Sequence, residues 1–223
     1  MMKKLTFAAL LLACTLPAAA QNWSFGAATG PFVFGDFVER RLRLTNGNDN
    51  EPVTMTLSAA TRAGLALDLE RSFSDRWAVR LEGTFTRSPI TAEQSGGPGD
   101  GVEVSSGKLN VSTFMLPLVF RINPRGAFRF HLMAGPAVAI YKADAPENAA
   151  GAAPPFEGTQ GEWGGAFGGG VGWWISDRFA VEGNLTDIVT TSPFDRSSFP
   201  DVPGIDIKNP HNVHTTVGVR WKF

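Results

Sequence analysis

Cysteine is almost absent: Cys14 is the only one in 223 residues, and it sits near the amino end. No disulfide can form within the chain, so its stability has to come from packing and hydrogen bonds. Long apolar runs are missing too. Nowhere are there the roughly 18 uncharged apolar residues that a membrane-spanning helix requires, so any passage through a bilayer has to be made by strands. Net charge is −1, which leaves no basic surplus to imply a nucleic-acid partner. Histidines number three, and no spacing among them suits a metal.

What is present begins with a leader. Met1-Met2-Lys3-Lys4 is basic, Leu5 to Ala13 is a short apolar run, and Pro17-Ala18-Ala19-Ala20-Gln21 places small residues three apart. This is the pattern of a secretory signal peptide over 1–20, cut between Ala20 and Gln21 with Ala18 and Ala20 as the small pair. A rival reading takes Leu11-Leu12-Ala13-Cys14 as a lipidation box, which Leu12 fits poorly.

The rest, 21–223, reads as one all-β domain. Apolar residues recur at every second position in segments near 23–38, 54–72, 77–87, 108–122, 127–141, 162–175, 179–189 and 211–223. Short polar turns (Ser74-Asp75-Arg76, Asn123 to Gly126, Ser176-Asp177-Arg178) alternate with long connections around 40–53, 88–107, 142–161 and 190–210. Ser74–Val79 (SDRWAV) and Ser176–Val181 (SDRFAV) repeat one unit, a tight turn opening a strand on an aromatic. Phe32 and Phe34 break the alternation of the first segment. In the second, Leu57, Ala59, Ala63, Leu65, Leu67 and Leu69 share one face.

Alternation does not say which face is wet. The polar parity carries Asp68, Glu70, Arg80, Glu82, Arg129, Glu182, Arg220 and Lys222, while Trp77, Phe128, Trp173, Phe179, Trp221 and Phe223 lie on the apolar parity beside short turns or the terminus. Polar interior, apolar exterior, aromatic rims and loops long on one side are properties of a membrane barrel. A soluble lipocalin-like carrier is the inverted alternative.

With its leader, eight strands, alternating loops and final Val217-Gly-Val219-Arg-Trp221-Lys-Phe223, the chain resembles the small outer-membrane β-barrel superfamily, the group containing the OmpA transmembrane domain and OmpX. The resemblance implies an eight-stranded antiparallel up-and-down transmembrane barrel in the bacterial outer membrane, in contact with outer-membrane lipid. It also implies that Val217, Val219, Trp221 and Phe223 are read by the barrel-assembly machinery. Because the chain stops at Phe223, no periplasmic peptidoglycan-binding domain is expected.

A barrel of eight strands is just wide enough to be filled by side chains, so the interior charges should pair. Glu70 is expected opposite Arg80, and Arg220 and Lys222 near Glu182. A pairing plug and a narrow ion path are both open. No catalytic set stands out. His211 and His214 point to opposite faces, and neither His211-x-Val213 nor His214-x-Thr216 supplies the serine of the His-x-Ser found in barrel enzymes that modify lipid A.

Trp163–Trp174 has the glycines but not the spacing of a phosphate loop, so no cofactor is expected. Its Gly164, Gly168, Gly170 and Gly172 instead make room inside for neighbours such as Arg129 or His131. Pro31, Pro117 and Pro136 interrupt strands; the last two, on adjacent strands, mark either tolerated bulges or a weak seam for lateral passage of an apolar solute. The long loops, with Phe194, Phe199, Val202, Ile205 and Ile207 in the last, are the surface that could meet an extracellular partner. The expected function is a non-enzymatic structural or surface-interaction barrel, with a small channel or conduit as the alternative and a lipid A-modifying enzyme behind both.

Overall fold

A computed structural model describes residues 22–46, 49–96, 101–144, 159–194 and 205–223. The leader and its cleavage residues Ala18, Ala20 and Gln21 lie outside that range. The strands are β1 (Asn22–Phe34), β2 (Val38–Asn46), β3 (Asp49–Ala59), β4 (Arg62–Ser72), β5 (Trp77–Ser95), β6 (Val102–Met115), β7 (Leu118–Arg121), β8 (Phe128–Asp144), β9 (Thr159–Trp174), β10 (Phe179–Thr190), β11 (Ile205–Ile207) and β12 (His211–Lys222).

Neighbouring strands pair antiparallel until the ring closes. β1 pairs with β4 on one side and β12 on the other, from Ser24↔Lys222 to Phe34↔Asn212. The remaining path runs β4, β5, the β6 and β7 pair, β8, β9, β10 and back to β12. β6 and β7 form one stave interrupted at Leu116-Pro117, so among the described residues the barrel has eight staves. Closure leaves no free edge within the ring.

Burial alternates with the pleat and resolves which face is wet. Arg80 is 1% exposed and Arg220 2%, whereas Trp221 is 58% exposed and Phe223 67%. A soluble barrel would show the reverse. The outer face carries Leu65, Leu81, Phe114, Leu132, Leu185 and Val217, a continuous apolar band too large for a water-facing monomer surface. All six aromatics at the short-turn rim and terminus (Trp77, Phe128, Trp173, Phe179, Trp221, Phe223) are exposed on this outer face.

Three sequence expectations need correction. The connections expected around 40–53 and 88–107 are partly strand: β2 and β3 pair from Val38↔Leu57 to Asn46↔Asp49, and the long ends of β5 and β6 pair up to Gln94↔Val102. Their Val, Thr and Leu content favours strand. Phe32 and Phe34 do not break the register of β1; both are buried inside, continuing the parity of Ser24 and Gly26. The upper lumen holds a large apolar cluster to which both belong. Leu57 and Ala59 do not share the outer face of Leu65 and Leu67; Ala59 is buried and Leu57 packs against the same inner cluster.

The parity flips at Ala60-Thr61, where the strand breaks and the Ala60 amide donates to the Pro89 carbonyl at 3.0 Å. β5 shifts register nearby, between Ile90 and Thr91. Bulges of this kind collect at barrel rims. Beyond them, β11, β2 and β3 extend the wall past the long-loop end as a sheet in the order β11-β2-β3-β5.

The outer face gives a direct prediction. Leu81 points outward near mid-stave, 54% exposed. Leu81→Arg should destabilise the folded barrel in lipid vesicles by roughly 2–4 kcal/mol, read from denaturant titrations of the heat-modifiable band.

Candidate functional site in the barrel lumen

The inner face is layered. Nearest the short turns lies an ion cluster built from one or two residues on each of several staves. Arg80 on β5 donates from Nε at 2.9 Å and Nη2 at 2.7 Å to Glu70 Oε2 on β4, directly across the ladder. It also lies 3.6 Å from Glu182, 3.7 Å from Asp68 and 3.9 Å from Glu82. Arg220 on β12 sits 2.8 Å from both Asp68 and Glu182 and donates to Ser24 Oγ at 3.0 Å. The two guanidiniums therefore share carboxylates from β4 and β10, and tie together strands far apart in sequence.

Sequence reasoning missed one member. Arg121, at the end of β7, bonds Glu70 Oε1 and donates to Ser72 Oγ at 2.8 Å. The signal was there: Arg121 has the parity opposite to Phe120 and Ile122 in a segment otherwise read for its apolar face. Arg129 and Lys222 stand apart from the cluster. The Arg129 guanidinium lies 4.3 Å over the Trp174 ring and its Nε donates to the Gly126 carbonyl. Lys222 is half-buried at the rim and makes no ion pair among the described residues.

The free volume left inside the cluster is about 10 Å³, room for one water at most. Above it the Thr84 and Thr113 hydroxyls bond each other, and His131 Nε2 meets Asn184 Oδ1 at 3.0 Å. Gly170 makes that layer possible, because a Cβ there would fall 2.8 Å from His131 Cε1. Met115, Ala137, Ala166 and Ile188 follow as an apolar layer. Tyr141 then bonds Thr190 at 3.1 Å and receives the Asn212 amide at 2.9 Å.

The long-loop end is closed by an apolar cluster including Phe32, Phe34, Phe37, Ile90, Leu109 and Phe194. Phe194 comes from the last long connection and meets the edge of Phe37 at 5.7 Å, so this part of the loop caps the lumen. Ile205 packs on the same cluster; Phe199 and Val202 lie outside the described residues. On the extension above, Arg41 donates to the Glu39 carboxylate and, with Lys208 beside it, holds Glu39 below the usual carboxylate range. The bond to Asp206 raises the Lys208 ammonium in turn.

The histidines do not converge. His131 and His214 are inside, the latter with its ring 4.0 Å from Phe32, while His211 is outside and 2.8 Å from Asp187. Pro117 falls in the break between β6 and β7, opposite Gly135-Pro136. There the ladder still holds, since the Leu116 amide donates to the Pro136 carbonyl and the Arg80 amide to the Pro117 carbonyl, each at 3.0 Å. Outside this seam is an apolar hollow of about 240 Å³ that includes Phe114, Leu116, Pro136 and Trp163. Pro31 lies elsewhere, in β1 beside Ala63, where the pairing to β12 skips from Thr29↔Val217 to Phe32↔His214.

Removing one partner from a buried ion cluster leaves charge uncompensated, whereas removing both leaves less behind. Arg80→Met should therefore destabilise the barrel by about 3–5 kcal/mol, and Arg80→Met with Glu70→Gln by less. Unfolding in lipid vesicles measures both.

No curated protein sequence matches this chain. Among solved structures, the outer membrane protein OprG from Pseudomonas aeruginosa is similar with a TM-score of 0.60 at 14% identity, covering 92% of this chain and 96% of that one. Neisserial surface protein A is similar with a TM-score of 0.52 at 10% identity, covering 93% and 100%. At these identities the likeness speaks for the fold. The family model described as outer membrane protein beta-barrel domain matches residues 5–223, and with the inverted faces and closed ring it makes this chain a member of that family, a β-barrel protein of the bacterial outer membrane.

Proposed function

We propose that this protein is a closed, non-enzymatic barrel whose lumen is structural and whose working surface is the extracellular extension with its loops. The observation that carries this reading is the ion cluster. Arg80 and Arg220 cross the lumen at the periplasmic end, locked to carboxylates of β4 and β10, with about 10 Å³ to spare. A hydrated ion does not fit such a space, and parting the pairs would strand buried charges. The aromatic cluster around Phe37 closes the other end. What stays open to partners is the sheet of β11, β2, β3 and the upper part of β5. Loops and edges held on a rigid scaffold are where surface recognition concentrates. The stripe of Val217, Val219, Trp221 and Phe223 on the outer face is free, in the same reading, to serve as an address for the assembly machinery.

A second reading, a lateral conduit for apolar solutes, draws on the hollow outside the Leu116-Pro117 break, which reaches the lumenal residues Met115 and Ala137. It requires the aromatic cap to move.

Planar-bilayer recording of the folded protein tests the first reading. Silence is expected at neutral pH and moderate salt. Discrete openings that disappear on restoring the unfolded band would show an ion path and sink the proposal.

A further inference from the structure

On β5, β6 and β8 the outer face changes character abruptly. Below lie Leu81 and Phe85, Phe114 and Leu116, Leu132 and Val138, all outward. Above them Arg87, Asn110 and Lys142 stand side by side across three strands, by the pairings Arg87↔Asn110 and Asn110↔Lys142. Lys108 lies in the next row, between Pro89 and Asp144.

Height places this row. Arg87 follows Trp77 of the periplasmic aromatic rim along one unbroken strand, β5. At about 3.4 Å per residue and a tilt near 40°, residues 77 to 87 climb about 25 Å, the height of the apolar band of an outer-membrane barrel. The cations therefore sit where the headgroups of the outer leaflet begin.

Charge there is one-sided. Asp144, across the ladder from Lys108, is the acid nearby; it accepts from Arg87 at 3.1 Å and from Asn110 at 2.9 Å. Lys108 and Lys142 are exposed and have no anionic partner among the described residues. Beside Arg87 and Asn110 is a hollow of about 470 Å³ in the barrel wall, with Leu65, Phe85 and Ser112 in the row beneath them. An apolar hollow under a cationic rim suits a molecule with an acyl chain and an anionic head.

We propose that the outer wall at Arg87, Lys108 and Lys142 is a binding site for a phosphorylated lipid of the outer leaflet, with the phosphate held by the cations and Asn110, and an acyl chain laid against Leu65 and Phe85. The site is independent of the lumen and of any function assigned to the loops.

Native mass spectrometry of the full folded chain tests it, after reconstitution in nanodiscs holding phosphatidylcholine with either bisphosphorylated lipid A or its dephosphorylated form. Wild type should retain the bisphosphorylated lipid roughly tenfold better, and R87Q/K108Q/K142Q should lose that preference. R125Q/R178Q, at the periplasmic turns, should keep it, and unchanged heat modifiability shows that each variant is folded. Equal retention of both lipids, or a triple variant that binds like wild type, overturns the site. Displacement by millimolar inorganic phosphate would mean that the cations read free phosphate and not a lipid, and overturns it equally.

Discussion

Inside a bilayer a backbone amide or carbonyl has no water to turn to, so each must be paired within the protein. For a chain of strands the solution is to return the last strand to the first, here β12 to β1 through Ser24↔Lys222 to Phe34↔Asn212. The rest of the structure follows from that closure. Eight staves fix a radius that side chains can fill, and the pleat sends every second residue inward. Polar residues that the lipid would reject then share a narrow space, and charged ones have to find partners there.

The ion cluster does more than neutralise charge. Arg220 reaches Asp68 on β4 and Glu182 on β10, while Arg80 reaches Glu70 on β4. A one-residue slip in any of these strands would carry a guanidinium or carboxylate from the lumen to the lipid face. The penalty for that error is far larger than the stability an ion pair itself supplies, so the cluster acts chiefly on register. Dense apolar packing around Phe32, Phe37 and Leu109 takes over where the wall widens into the extracellular sheet.

Much of this was legible in the sequence because the signal has a period of two and tolerates no slippage. The parity of β12, the short turns at Ser74 and Ser176, and the pairing of Glu70 with Arg80 follow from alternation and turn position alone. Two kinds of feature were not. Phe32, Phe34 and Ala59 face inward among other apolar groups, and a rule that assigns polar residues to the lumen misplaces them or reads them as errors. The β2–β3 hairpin sets charged Glu39, Arg40 and Arg41 beside buried Val38 and Val53, so polarity disguised it as loop. Arg121 escaped because the apolar parity of Phe114, Leu116, Leu118, Phe120 and Ile122 dominates its stave and masks the single charge on the opposite face.

The central claim is that water and ions do not traverse the lumen. Cys14 is the only native cysteine, so a Cys14→Ser background admits single reporters. Thr216 faces inward and buried between the ion cluster and the aromatic cap, and Thr215 faces outward. Thr216→Cys in sealed vesicles, exposed to a charged methanethiosulfonate added on both sides, measures access directly. A closed lumen predicts labelling orders of magnitude slower than in the unfolded chain; labelling at a comparable rate would contradict it.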